Sequence, residues 1–298
     1  MTAAAPLGIT AIVAVHNEES FVRPCLTSLA EVADEILVAH DGPCRDRSVE
    51  IAREFTSHVW VHEWRGAPET HLVRLLRRAS HDWIVRLDCD EALSPALITA
   101  LRGIKAGGGD PDVTHYRAIW RAVYTKEDER PPRAREAPHR TVLFRRSCTR
   151  WVGIPHAHAA IAGQAAPVRE CIYHYAPHQH HSFVELLSRK LLPFAKADAA
   201  IRVRYPIEVI GYDGQSIDQV LRLVDRWRAA RPLVVAGPLA VLTGARELAA
   251  ACRAASPREL VRNLRWPAAH ALYQLMLAWE IHQLRHQGFA PQLASRST

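Results

Sequence analysis

The sequence predicts an α/β fold, with a mostly parallel sheet and flanking helices followed by a helical C-terminal extension. Three observations predict it. Short apolar runs alternate with helically spaced apolar residues through the first hundred positions. Polar residues gather immediately after those runs. From about Ser182 onward the spacing is helical alone.

Ile9–Val15 is a continuous run rich in branched residues, as in a strand buried on both faces. Phe21, Leu26, Leu29 and Val32 give a helix over Ser20–Val32, with Pro24 expected in its tolerant first turn. Glu35–Ala39 predicts a second strand, His40–Asp46 a loop and Ser48–Phe55 a helix. His58–His62 reads as a third strand, Pro68–Ala79 as a third helix and Asp82–Leu87 as a fourth strand. A further helix starts near Ser94-Pro95. After the Gly-rich break at Gly107–Gly109, Val113–Thr125 and Thr141–Arg146 read as long strands. A segment rich in His and aromatic residues follows, from Trp151 to His181. The expected domains are residues 1–200, divided near 105, and a helical extension over 201–298.

A 298-residue chain with 48% hydrophobic and 23% charged residues buries enough surface to fold without staples. Disorder over most of the chain and a disulfide mini-scaffold are thereby excluded. The six cysteines include no CxxC pair, so reduced thiols and a cytoplasmic setting are expected. Net charge is +7, and only four of the 38 basic residues are Lys. Arginine suits anionic ligands, but high Arg and Ala content together also reflect genome composition, and nothing here points to nucleic acid. The longest uncharged stretch, Pro232–Ala245, is too short to cross a membrane. The N-terminus lacks the basic region of a signal peptide.

In an open α/β sheet, ligands bind at the carboxyl ends of the strands. Asn17 and Glu18 follow the first strand, Asp41 the second, and Asp88 and Asp90 the fourth. Two aspartates one residue apart, beside a substrate diphosphate, suit Mg²⁺ or Mn²⁺, which takes carboxylate and phosphate oxygens. The plainer alternative is an acidic turn leading into the helix at Ser94.

The series Ile12-Val13-Ala14-Val15-His16-Asn17-Glu18-Glu19, Asp41-Gly42-Pro43-Cys44-Arg45-Asp46-Arg47-Ser48 and Leu87-Asp88-Cys89-Asp90-Glu91-Ala92-Leu93-Ser94 resembles the motifs of family 2 glycosyltransferases. The resemblance implies a GT-A-like (Rossmann-like) fold, a nucleotide-diphosphate sugar donor and inversion at the anomeric carbon. It places Asn17 and Glu18 beside the nucleotide, Asp41 on the base, Asp88 near ribose and metal, and Asp90 on the metal. Phe144-Arg145-Arg146 and Trp151-Val152-Gly153-Ile154-Pro155-His156 resemble the acceptor side. Ile172-Tyr173-His174-Tyr175 resembles a later stretch that makes His174 a further metal ligand.

The Arg-Asn or Lys-Asn pair of the family falls at Leu72-Val73, leaving Glu69, His71 or Arg74 as substitutes. Ala157 replaces an acid that often follows the acceptor-side His, so the base does not carry over. His156 is the candidate base, beside His158, Asp128, Glu129, Glu136 and Glu170. His174, His178, His180 and His181 have no acid or Cys at a familiar zinc spacing. Arg258, Arg262 and Arg265 followed by Trp266, Leu272, Leu275 and Trp279 suggest a helix packed on a partner or lying on an anionic membrane face. The acceptor is left open: a glycan, a lipid-linked or a small molecule. Two alternatives stand beside the enzyme: a catalytically degenerate binding protein and a sugar nucleotidyltransferase, although the latter's Gly-rich phosphate loop is absent.

Overall fold

The computed structural model describes residues 6–123, 139–155, 159–175, 183–205, 207–211, 232–251 and 265–287. The chain divides into two compact units. The first comprises residues 1–64, 68–178 and 208–212; the second comprises 65–67, 179–207 and 213–298.

The first unit alternates β1 (Ile9–Val15), α1 (Glu19–Ala30), β2 (Glu35–Asp41), α2 (Ser48–Phe55), β3 (Val59–His62), α3 (Leu72–Arg78), β4 (Trp83–Arg86), β5 (Glu91–Leu93) and α4 (Pro95–Ala106). Then come β6 (Val113–Val123), β7 (His139–Arg145), β8 (Thr149–Val152), β9 (Ala160–Ile161), β10 (Gln164–Tyr175) and β11 (Val209–Ile210). Eight strands form one sheet in the order β3-β2-β1-β4-β7-β6-β10-β5. The pairs β3–β2, β2–β1, β1–β4 and β6–β10 are parallel, so the expected mostly parallel sheet is the one observed. The pairs β4–β7, β7–β6 and β10–β5 are antiparallel. A small second sheet runs β11-β8-β9.

Strand side chains alternate between faces, and β1 shows why its run is apolar throughout. Ile9, Ala11, Val13 and Val15 enter a core with Val22, Leu26 and Leu29 of α1, Ile51 of α2, and Leu97 and Leu101 of α4. Ile12 enters the opposite core with Leu72, Leu75 and Leu76 of α3 and Phe144 of β7. Helices thus cover both faces, and every loop after a parallel strand emerges at one edge. At α4 the Ser94 hydroxyl accepts the Leu97 N–H (3.2 Å) and Pro95 opens the helix, as the sequence suggested. One expectation is corrected. The helix α1 begins at Glu19, so Pro24 lies inside it, beyond the first turn, and removes one backbone donor.

The second unit contains α5 (Phe183–Glu185), a π-helical stretch (Leu186–Leu191), α6 (Leu192–Arg204), α7 (Pro232–Ala251) and α8 (Arg265–His286). The π-helical stretch ends beside Pro193, which has no N–H to continue the ladder. Leu191, Ala195, Ala199 and Val203 recur every four residues and pack on Ala269, Tyr273, Leu277 and Ile281 of α8. Within that core Arg202 donates to Asp198 (2.6 Å), and the Tyr273 hydroxyl donates to the other carboxylate oxygen (2.9 Å).

Candidate functional site

The loops after β1 and β2 are bonded to one another. Asn17 has φ +52°, a left-handed conformation that Asn tolerates better than most residues. Its N–H meets His40 Nε2 (3.3 Å), and its side-chain oxygen accepts the Arg45 N–H (2.8 Å). Because His40 Nδ1 faces the Gly42 carbonyl (2.8 Å), His40 carries its proton on Nδ1 and accepts through Nε2. Burial holds its pKa below the usual value, which preserves that neutral ring. The Glu18 N–H donates to Ser48 Oγ (2.7 Å), while Asp46 accepts the N–H groups of Glu19 (3.0 Å) and Ser48 (2.9 Å). The Glu18 carboxylate accepts the His16 N–H (3.1 Å). Burial pushes the Glu18 pKa up to about 7; the backbone bond opposes this, and the charges of Asp90 and Asp88 add to it.

Asp41, at the end of β2, is fully buried and bonds His71 Nε2 (2.9 Å). The His71 ring stacks on His62, with centroids 4.8 Å apart. Arg74 donates to His62 Nδ1 (3.1 Å) and to Glu63, and it is paired with Glu208 as well. Burial first, then His71 and Arg74, pull the His62 pKa down to about 4. Of the substitutes considered for the diphosphate contact, His71 therefore faces Asp41 and Arg74 faces two carboxylates. Gly42, at φ +79°, admits no side chain: a Cβ would lie 2.7 Å from that of Trp64.

At the end of β4, Asp88 is gripped by two arginines that the sequence motifs do not single out. Arg86 reaches one oxygen (2.5 Å) and Arg140 the other (2.7 Å). Burial raises the Asp88 pKa, but the two guanidinium groups outweigh it and leave the carboxyl below its ordinary range. Arg140 also pairs with Glu91, which accepts the Trp120 indole N–H (2.7 Å) and the Asp88 N–H (2.8 Å). Burial and the Asp88 charge push Glu91 upward. Arg86 stands two residues before Asp88, on the same strand, and that spacing is its signal in the sequence. Arg140 and Trp120 come from β7 and β6, and no local pattern marks them.

Asp90 is placed otherwise. Its Oδ2 lies 3.1 Å from His174 Nε2, on the strand that pairs with β5. The His174 ring packs on Trp120 (4.6 Å between centroids), and its Nδ1 is buried without a partner, so Nε2 is its working atom. Octahedral ligands about 2.1 Å from Mg²⁺ stand roughly 3 Å apart along an edge, which matches the Asp90–His174 spacing. These two groups fit a divalent cation that completes its shell with substrate oxygens and water. Among the described residues, His40, Cys44 and Asp46 also lie close enough to share an ion. Their atoms are already engaged: Asp46 with Glu19, Ser48 and Cys44, and His40 with Asn17 and Gly42.

Trp151 of β8, in the segment expected on the acceptor side, reaches the same edge, where Arg86 lies over its ring (5.1 Å). His156, His158, His178, His180, His181, Asp128, Glu129 and Glu136 lie outside the described residues. An open depression of about 490 Å³ lies by the opposite ends of β2 and β3, lined by Glu35, His58 and His81 among others.

Residues 10–165, just over half of the chain, match the sequence model described as glycosyl transferase family 2. A protein of Rickettsia bellii named an uncharacterized glycosyltransferase is 27% identical over 124 residues, 41% of each chain. One from Rickettsia felis is 27% identical over 124 residues, 41% of this chain and 42% of that one. The matched segment thus spans about two fifths of these relatives' own length. Among solved structures, TarS 1-349 of S. aureus with UDP gives a TM-score of 0.42 at 12% identity, covering 94% of this chain and 92% of that one. The mannosyltransferase PcManGT of Pyrobaculum calidifontis, with GDP-Man and Mn²⁺, gives 0.40 at 16% identity, covering 94% and 89%. With all three strand-end motifs inside the matched span, the chain belongs to glycosyl transferase family 2.

Proposed function

We propose that the chain moves a sugar from a nucleotide-diphosphate sugar to an acceptor hydroxyl, with inversion, using Mn²⁺ or Mg²⁺ held by Asp90 and His174. One observation carries the reading: Asp90 Oδ2 stands 3.1 Å from His174 Nε2 at the sheet's carboxyl edge, beside Asp88 and the Glu18 carboxyl on which both charges act. Carboxylates gathered there suit a cation and a polyol more than they suit stability. When bound, the cation neutralises the leaving diphosphate. Asp41 is assigned to the nucleobase, with His71 holding its carboxylate, and Asn17 and Glu18 line the nucleotide side. Asp88, held by Arg86 and Arg140, is oriented toward ribose. His156 is the proposed base for the acceptor hydroxyl.

A hydrolysis screen over UDP-, GDP- and dTDP-sugars, with and without Mn²⁺, tests the reading. One donor is expected to release its sugar in a Mn²⁺-dependent way. Asp90→Ala is expected to abolish that release and Mn²⁺-dependent nucleotide binding while the melting temperature holds; full activity in this variant refutes the metal assignment. The arginine grip on Asp88 favours one second reading, a nucleotide-binding protein without turnover. Calorimetric nucleotide binding with no sugar released from any donor would support it.

A further inference from the structure

The second unit exposes apolar surface that its own core does not use. On α7, Pro232, Ala236 and Ala240 are buried at a four-residue spacing. Positions beside them face outward: Leu233, Val234 (64% exposed), Val241 (73%) and Leu242 (67%). No charged residue interrupts Pro232–Ala245, and Arg231 and Arg246 bracket it in sequence. The helix α8 packs along α7, close enough that a Cβ added at Gly244 would meet the Ala271 methyl group at 3.6 Å. It too turns Leu272, Leu275 and Trp279 (51%) outward. Scattered exposed apolar residues are ordinary, but two adjoining helices each presenting a stripe of them are not.

Charge selects the occupant. Residues 1–181 carry 22 Lys+Arg and 22 Asp+Glu, so they are neutral. Residues 182–298 carry 16 and 9, so the whole +7 of the chain belongs to the segment that bears these helices. The two helices themselves contribute Arg246, Arg265 and Arg285 against Glu247 and Glu280. Two copies meeting here would bring two basic segments together, whereas an anionic bilayer attracts the basic segment and takes up its apolar stripe. Among the described residues no helix is long and apolar enough to cross a membrane, so the helices would lie on the surface. We infer that the α7–α8 face docks reversibly on an anionic lipid surface, seating Val234, Val241, Leu242 and Trp279 at the headgroup boundary. The inference is independent of the proposed donor chemistry.

Co-sedimentation of the full chain with phosphatidylcholine vesicles, with and without phosphatidylglycerol, tests it. Binding is expected only with phosphatidylglycerol and should weaken steeply as salt rises. Val241→Asp combined with Leu242→Asp should weaken partitioning about tenfold or more, without changing circular dichroism or melting. Trp279→Ser on α8 provides an independent variant with the same expected direction. Equal binding to both vesicle types, or full binding by either variant, would overturn the inference. So would light scattering that shows a wild-type dimer dissociated by these substitutions, which would make a second copy the occupant.

Discussion

Glu18 and Arg140 are the side chains on which the site's electrostatics turn. The folded-state pKa of Glu18, about 7, lies above its ordinary 4.5, so the folded chain binds the proton more tightly than the unfolded one. The sign follows: the Glu18 contribution to stability is greatest below about pH 4.5, falls as pH rises to about 7, and levels beyond. The loss should amount to roughly 3 kcal/mol, because each tenfold difference in proton affinity between the two states is worth about 1.4 kcal/mol. Glu18→Gln should flatten the Glu18 part of that slope in denaturant melts at about pH 5 and pH 8. Arg140 bridges Asp88 and the fully buried Glu91. Arg140→Ala should cost about 2–4 kcal/mol, because it leaves Glu91 buried without its cation. Lys should restore little of this, since a point charge cannot hold both carboxylates as a planar guanidinium does. A double-mutant cycle with Glu91→Gln, read by chemical denaturation, measures the coupling. The carboxylates themselves are readable in the sequence because each ends a buried apolar run. Arg140 and Trp120 are not, since only tertiary pairing brings them to Asp88 and Glu91 from 30 to 50 positions downstream.

Elements are legible in proportion to how local their stabilisation is. β1, β2 and β4, with the helices between them, emerge from period and apolar runs because these strands are buried between cores on both faces. β10 escapes the pattern, although it is long. Its sequence mixes Pro167, Arg169 and Glu170 with apolar residues, and its register against β6 shifts between Pro167 and Cys171. Three-residue β5 and two-residue β9 and β11 are set by partners rather than propensity. In the second unit, α6 and α8 are joined by a buried charged group as well as by apolar contacts. Asp198→Ala would leave Arg202 and the Tyr273 hydroxyl short of their shared acceptor. A loss of about 3–5 kcal/mol is expected in that unit's unfolding, measurable by hydrogen exchange on α6 and α8.

Across the whole molecule, the sequence predicts a mostly parallel α/β sheet with flanking helices, and the structure has it. The helices from Phe183 onward group with the second unit, where Leu186 and Leu191 join the same core as Tyr273. The net charge of +7, summed over the chain, conceals a division along the sequence: residues 1–181 are neutral and residues 182–298 carry the whole excess.

The bonds between the loops after β1 and β2 have a thermodynamic consequence. The N–H groups of Glu18, Glu19, Arg45 and Ser48 donate to the side chains of Ser48, Asp46, Asn17 and Asp46 respectively. The conformational entropy of these loops is therefore surrendered during folding, before any ligand arrives. Donor association should then order little additional chain, giving an association rate limited by encounter rather than by loop closure. Amide exchange at Glu18, Glu19, Arg45 and Ser48 should be slow in the ligand-free protein and change little on nucleotide addition. Strong protection that arises only with nucleotide would show instead that the ligand does the ordering.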